Sequence, residues 1–245
     1  MNKRLILLLL TLVPALSLAS EGGIHLDKAN IDPNNQQSLQ RGARLFVNYC
    51  LSCHSAGLMR YERIGNDLGI PAPMVAENLM FTGGKIGDLM TVATDPSDAV
   101  EWFGTAPPDL SVTARARGVD WIYTYLRSFY LDPSRPTGVN NLVFPKVGMP
   151  DVLWELQGCQ KAVTTTVKDP DGTEREEVKL ELVQPGTMSP EEFDRAVRDL
   201  VNFMSYMSEP AKHDRQALGV KVILFLLVFL VVAYLMKKEF WKDVH

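Results

Sequence analysis

The chain has 245 residues, 46% of them hydrophobic, with 25 Lys and Arg against 29 Asp and Glu and only 3 Cys. That balance is too apolar for a disordered chain and lacks the basic excess of a nucleic-acid binder. A disulfide scaffold is excluded too, because so few cysteines cannot replace a core at this length.

At the N-terminus, Lys3 and Arg4 precede an apolar run over residues 5–18, with Pro14 inside it and the small residues Ala19 and Ser20 beyond. A charged start, a short apolar stretch and a small-residue cleavage site form the layout of a secretory signal peptide. Residues 1–19 are therefore set apart from the fold, and the body is expected to be exported.

Residues 38–49 read as one amphipathic helix that ends at Cys50. There Cys50-Leu51-Ser52-Cys53-His54 spells C-x-x-C-H, which in an exported protein is the attachment signature of c-type haem. The two thiols add across the vinyl groups of the macrocycle, and the imidazole that follows reaches the iron. A thioredoxin-like dithiol would want a β-α-β context, which the preceding helix does not offer. A zinc site would want a second Cys/His pair, and beyond the motif only Cys159, His25, His213 and His245 remain.

An iron with one histidine needs a sixth ligand. Met149 stands out, because Gly148 before it allows close backbone approach and Pro150 after it stiffens the loop. Met80, Met90 and Met188 are the other candidates. Met59 follows His54 too closely, and Met204 and Met207 are read as packing residues. Arg115 and Arg117 are candidate partners for the haem propionates. Asp120 reads as a helix N-cap, with Tyr123, Leu126 and Tyr130 on one apolar face.

Farther along, residues 163–167 and 177–183 read as two strands of a hairpin around Asp169-Pro170-Asp171-Gly172. Ser189-Pro190-Glu191-Glu192 is a capping box opening a helix to about Met207, with Phe193, Val197, Leu200, Phe203 and Met204 as its apolar stripe. Residues 217–236 are interrupted only by Lys221 and would make about 30 Å of helix, enough to span a bilayer. Lys237, Lys238, Phe240 and Trp241 form a basic and aromatic collar at its end. The expected organisation is a periplasmic haem domain over 20–211, a transmembrane anchor over 212–236 and a cytoplasmic tail over 237–245. The domain carries 17 basic against 26 acidic side chains, a field that favours a cationic partner protein over nucleic acid.

The blocks Val47-Asn48-Tyr49-Cys50-Leu51-Ser52-Cys53-His54-Ser55, Met59-Arg60-Tyr61, Pro107-Pro108-Asp109-Leu110-Ser111, Arg115-Ala116-Arg117 and Gly148-Met149-Pro150, followed by a C-terminal anchor, closely resemble bacterial cytochrome c1. The resemblance implies a mainly α fold: a c-type cytochrome haem domain with loop insertions and a small β-hairpin, plus one C-terminal transmembrane helix. It implies one covalent haem c on Cys50 and Cys53, axial ligation by His54 and Met149, and propionate contacts from Arg117 first and Arg115 second. Trp121 falls where the family often has a tyrosine near a propionate. The implied role is that of the redox subunit of ubiquinol:cytochrome c oxidoreductase in the bacterial inner membrane, with no catalysis of its own. Cytochrome b and the Rieske iron-sulfur protein are then partners, and a soluble or tethered cytochrome c takes the electron. The alternatives are a cytochrome c subunit of a terminal oxidase and a membrane-anchored haem enzyme or gas sensor.

Overall fold

The computed structural model describes residues 25–82, 84–92, 94–168 and 174–242. The expected signal peptide and the hairpin turn over residues 169–172 lie outside them.

Helix α1 (Gln36–Tyr49) starts where Asn35 accepts a hydrogen bond from the Ser38 amide at 3.0 Å, satisfying one otherwise orphaned donor. Its buried Leu39, Ala43, Phe46 and Val47 follow helical spacing and lie against α8 (Pro190–Ser208). That second helix opens on the expected capping box, Ser189 and Glu192 bonding each other's backbone, with Pro190 in the first turn. All five residues of its apolar stripe are buried. The two helices meet through Phe46 and Phe203, rings 5.6 Å apart, and through a polar cluster on Asp199. Ser38 Oγ and Arg41 Nε each donate to that carboxylate at 2.6 Å, while Asn202 Nδ2 donates to Ser38 Oγ. The α1–α8 pair is the floor of the domain.

Residues 56–127 form short elements over that floor. Strand β1 (Ala56–Arg60) pairs antiparallel with β2 (Leu89–Met90), and between them lie α2 (Tyr61–Leu68) and α3 (Ala72–Asn78). Gly69 ends α2 in the left-handed region, φ 63°, where a side chain would be strained. Next come α4 (Pro96–Phe103), capped by Asp95, then α5 (Thr113–Arg117) and α6 (Val119–Arg127). Asp120 is not the N-cap of α6. The helix begins one residue earlier, and the Asp120 carboxylate turns outward to accept from Lys28 Nζ at 2.8 Å and the Ala29 amide at 2.9 Å, tying the N-terminal segment down. Tyr123 and Leu126 are buried on this helix as expected, but Tyr130 lies beyond its end on β3 (Phe129–Leu131), paired with β4 (Val139–Asn141).

After α7 (Trp154–Gln157), the expected hairpin is β5 (Gly158–Lys168) with β6 (Glu174–Pro185), longer at both ends than its apolar residues indicated. Backbone pairing carries the ribbon past them. Gln160 Nε2 fastens its base by donating to the Arg127 and Phe129 carbonyls, each at 3.0 Å. Last comes α9 (Lys212–Phe240), 29 residues and about 43 Å long at 1.5 Å per residue, running four residues past the expected end. Its apolar side chains are exposed along its whole length, so within the described residues nothing in the chain covers them. A single helix of this kind is long and apolar enough to cross a bilayer.

Candidate functional site

Between α1, α6 and the loop after β4 lies an apolar cleft of about 350 Å³. Cys50, Cys53, His54, Arg117, Trp121 and Met149 all line it, together with Phe103, Pro108, Tyr125, Val147 and Met204. Residues nearly one hundred positions apart thus converge on one space.

The first wall grows out of α1. The Cys53 and His54 amides both donate to the Cys50 carbonyl, at 3.1 and 2.9 Å, so the motif continues the helix for one more turn and presents its three functional side chains together. Burial, with the neighbouring Cys53 second, pushes the Cys50 thiol up to about 12, so in the folded chain it is neutral and a poor nucleophile. His54 Nδ1 lies 2.7 Å from the Pro108 carbonyl. A carbonyl can only accept, so the proton sits on Nδ1 and the Nε2 lone pair is left for a metal. Burial holds the imidazole below its ordinary pKa, against the opposing pull of Pro108 and Asp109, which favours the neutral, ligating form at pH 7.

Pro108 is held by a seam that sequence reasoning did not assign. The Leu110 amide donates to the Ser55 carbonyl at 2.8 Å, and Asp109 accepts from the Gly57 and Ser111 amides at 2.7 and 2.8 Å. The Leu58 amide donates to Ser111 Oγ at 3.0 Å. Burial works against the Asp109 charge, but these bonds outweigh it and hold the carboxyl below the usual range. The Pro-Pro-Asp-Leu-Ser block therefore orients His54 through its backbone.

The opposite wall is the Met149 loop. Asn140 and Asn141, both buried, frame it. Asn140 Oδ1 accepts from the Lys146 amide at 2.8 Å, where Lys146 adopts φ 64°. Asn141 Oδ1 accepts from the Val143 and Phe144 amides at 2.9 and 3.1 Å, and its Nδ2 donates to the Tyr125 carbonyl at 2.8 Å. A Cβ on Gly148 would come within 3.2 Å of the Phe103 carbonyl oxygen, so the close approach read from this glycine is present. Met80, Met90 and Met188 are not on the cleft wall; Met90 is fully buried in β2. Met204 is on the wall, although its helical stripe marked it only as packing. Asn141→Ala removes four hydrogen bonds, these three and one accepted from Ser128 Oγ at 3.4 Å, and is expected to destabilise the domain by about 2–4 kcal/mol. Denaturant unfolding of the holoprotein checks this.

Of the two candidate propionate arginines, only Arg117 faces the cleft, its guanidinium 5.0 Å from the Trp121 ring centre. Arg115 is exposed and off the wall, because residues two apart on a helix point to opposite sides. Trp121 stacks on Tyr125 at 5.0 Å, with planes 9° apart. The Tyr125 hydroxyl donates to Met149 Sδ at 3.3 Å, a contact with no signature in sequence. The donor set fits a c-type haem: two thiols beside an imidazole with a free nitrogen, a thioether, an arginine at the rim, and apolar walls between them.

Comparison with known proteins agrees with this chemistry. The chain is 51% identical over 245 residues to a protein named cytochrome c1 from Allochromatium vinosum, covering all of both. It is 49% identical over 242 residues to a protein named ammonia monooxygenase gamma subunit from Nitrosomonas europaea, covering 99% of this chain and 98% of that one. The cytochrome c1 of Rhodospirillum rubrum is 25% identical, with 92% and 91% covered. Because residues 28–244 match the Cytochrome C1 family and the Allochromatium relative aligns end to end, the chain belongs to the cytochrome c1 family, with that family's c-type haem and its electron-transfer role.

Proposed function

We propose that this chain is the cytochrome c1 subunit of a bacterial ubiquinol:cytochrome c oxidoreductase. It would carry one haem c covalently on Cys50 and Cys53, ligated by His54 and Met149, and relay single electrons from the Rieske iron-sulfur protein to a soluble or tethered cytochrome c. The observation that carries the reading is the cleft itself, where an imidazole with its Nδ1 committed to Pro108 and a thioether line the same apolar space as both motif thiols. A haem bound there supplies a one-electron iron couple, and His/Met ligation places that couple at the oxidising end. The protein's part is to hold both ligands, exclude water with Phe103, Val147 and Leu110, and keep a cation, Arg117, at the rim for the propionates.

Two donors supplied by the chain favour an electron relay over a gas sensor or oxygen-activating site, which would need an open position. Partnership with cytochrome b is supported by a Bradyrhizobium diazoefficiens protein named cytochrome b/c1, 25% identical over 85% of this chain, of which the aligned part is 33%. The acidic excess of the head suits a basic cytochrome as acceptor. We assign residues 1–19 as the signal peptide, 20–211 as the periplasmic head, 212–236 as the core of the anchor and 237–245 as the cytoplasmic tail, in a single pass of the inner membrane.

The test is gentle detergent purification with haem staining on a denaturing gel and partner identification by mass. Retained stain and copurifying quinol-oxidising cytochrome b are expected; an oxygen-reducing subunit instead would overturn the assignment. A chain stopped after Ala211 is expected in the soluble periplasmic fraction with its stain intact, and finding it still in the membrane fraction would remove α9 as the anchor.

A further inference from the structure

The phenol of Tyr125 has one hydrogen-bond partner among the described residues, the sulfur of Met149. We propose that Tyr125 is a positioning residue for the axial thioether, holding its sulfur by an O–H···S bond and raising the reduction potential of the site; this rests on Met149 being the sixth ligand. Three contacts fix the phenol in place. Its ring stacks on Trp121 at 5.0 Å and meets the edge of Phe129 at 5.2 Å, while its backbone carbonyl is held by Asn141 Nδ2 at 2.8 Å. Asn141 also frames the Met149 loop, so donor and acceptor are anchored by one side chain.

A hydroxyl left unpaired in an apolar wall keeps its full desolvation cost, so a phenylalanine would serve the packing alone better than a tyrosine. The hydroxyl is accommodated because the sulfur accepts from it. A thioether sulfur has two lone pairs, one for a metal and one for a hydrogen bond. Donation to the second withdraws density from the first. A weaker donor destabilises the electron-poor ferric iron more than the ferrous, and the potential rises.

The test compares the full-length holoprotein in detergent with Tyr125→Phe and Tyr125→Leu, reading midpoint potential and the methionine-to-ferric-iron charge-transfer band. Tyr125→Phe keeps the ring and is expected to retain the band, shifted, with a three- to tenfold move of the reduction equilibrium toward ferric iron, about 30–60 mV lower at 59 mV per tenfold. An unchanged potential and band position in Tyr125→Phe would overturn the proposal, as would a shift confined to Tyr125→Leu, since ring packing would then be the agent. Absence of the band from the unaltered protein would instead sink Met149 as ligand, so the two failures are distinguishable.

Discussion

Met149→Leu is expected to abolish the charge-transfer band and lower the midpoint potential by on the order of 0.1–0.3 V, part of the roughly 0.8 V range that axial ligation governs. Leucine has nearly the same volume, so the loop framed by Asn140 and Asn141 should persist while the sulfur is lost. Methionine is the soft ligand that favours ferrous iron, and without it the ferric state gains. Carbon monoxide should then bind the reduced protein quickly, whereas the unaltered protein should resist it. A variant with the original potential would mean that the thioether is not a ligand. Met204→Leu is the matched control, because Met204 shares the cleft wall but receives no hydrogen bond at its sulfur among the described residues.

The largest effect on folding is expected at Gly42, where α1 crosses α8. A Cβ there would fall 2.1 Å from the Asp199 carbonyl oxygen and 2.7 Å from Phe203 Cβ, contacts that no side-chain rotation relieves. Gly42→Ala must push the helices apart, loosening the Phe46–Phe203 contact and the Ser38–Asp199 bond together. Helix propensity alone favours alanine by about 1 kcal/mol, but overpacking costs about 1–3 kcal/mol and a 2.1 Å approach to a backbone oxygen belongs at the upper end, so the net change is destabilising. Denaturant midpoints of the holoprotein measure it. Gly219→Ala on α9, where an added Cβ meets nothing within 4 Å, should show no such loss.

What could be read from the residues was the local part of the fold. The helix before Cys50, the capping box at Ser189, the hairpin and the C-terminal helix each announce themselves within a window of one element, through periodicity or capping chemistry. The short helices α2 to α5 did not, because segments of five to eight residues form only where tertiary contacts hold them. The cleft was legible where chemistry resides in residue type, as with Cys50, Cys53 and His54, whereas Met149 was set apart from Met80, Met90 and Met188 only by its Gly-Met-Pro setting and the family resemblance. The cleft was illegible where a backbone atom acts: Pro108 contributes a carbonyl that any residue possesses. Asn140, Asn141 and Tyr125 depend on the chain's path bringing them beside the loop they hold. Arg115 and Arg117 were separable in principle, since their spacing alone puts them on opposite sides of a turn.

The join between α8 and α9 is three residues, Glu209, Pro210 and Ala211, and Arg215 reaches back across it to pair with Glu209. Three residues, even fully extended, reach about 10 Å. Met204, on the cleft wall, is four positions before the end of α8. With α9 in the bilayer, so short a tether would keep the cleft close to the membrane surface. On the proposed function, its altitude above the lipid would then be set by the chain itself.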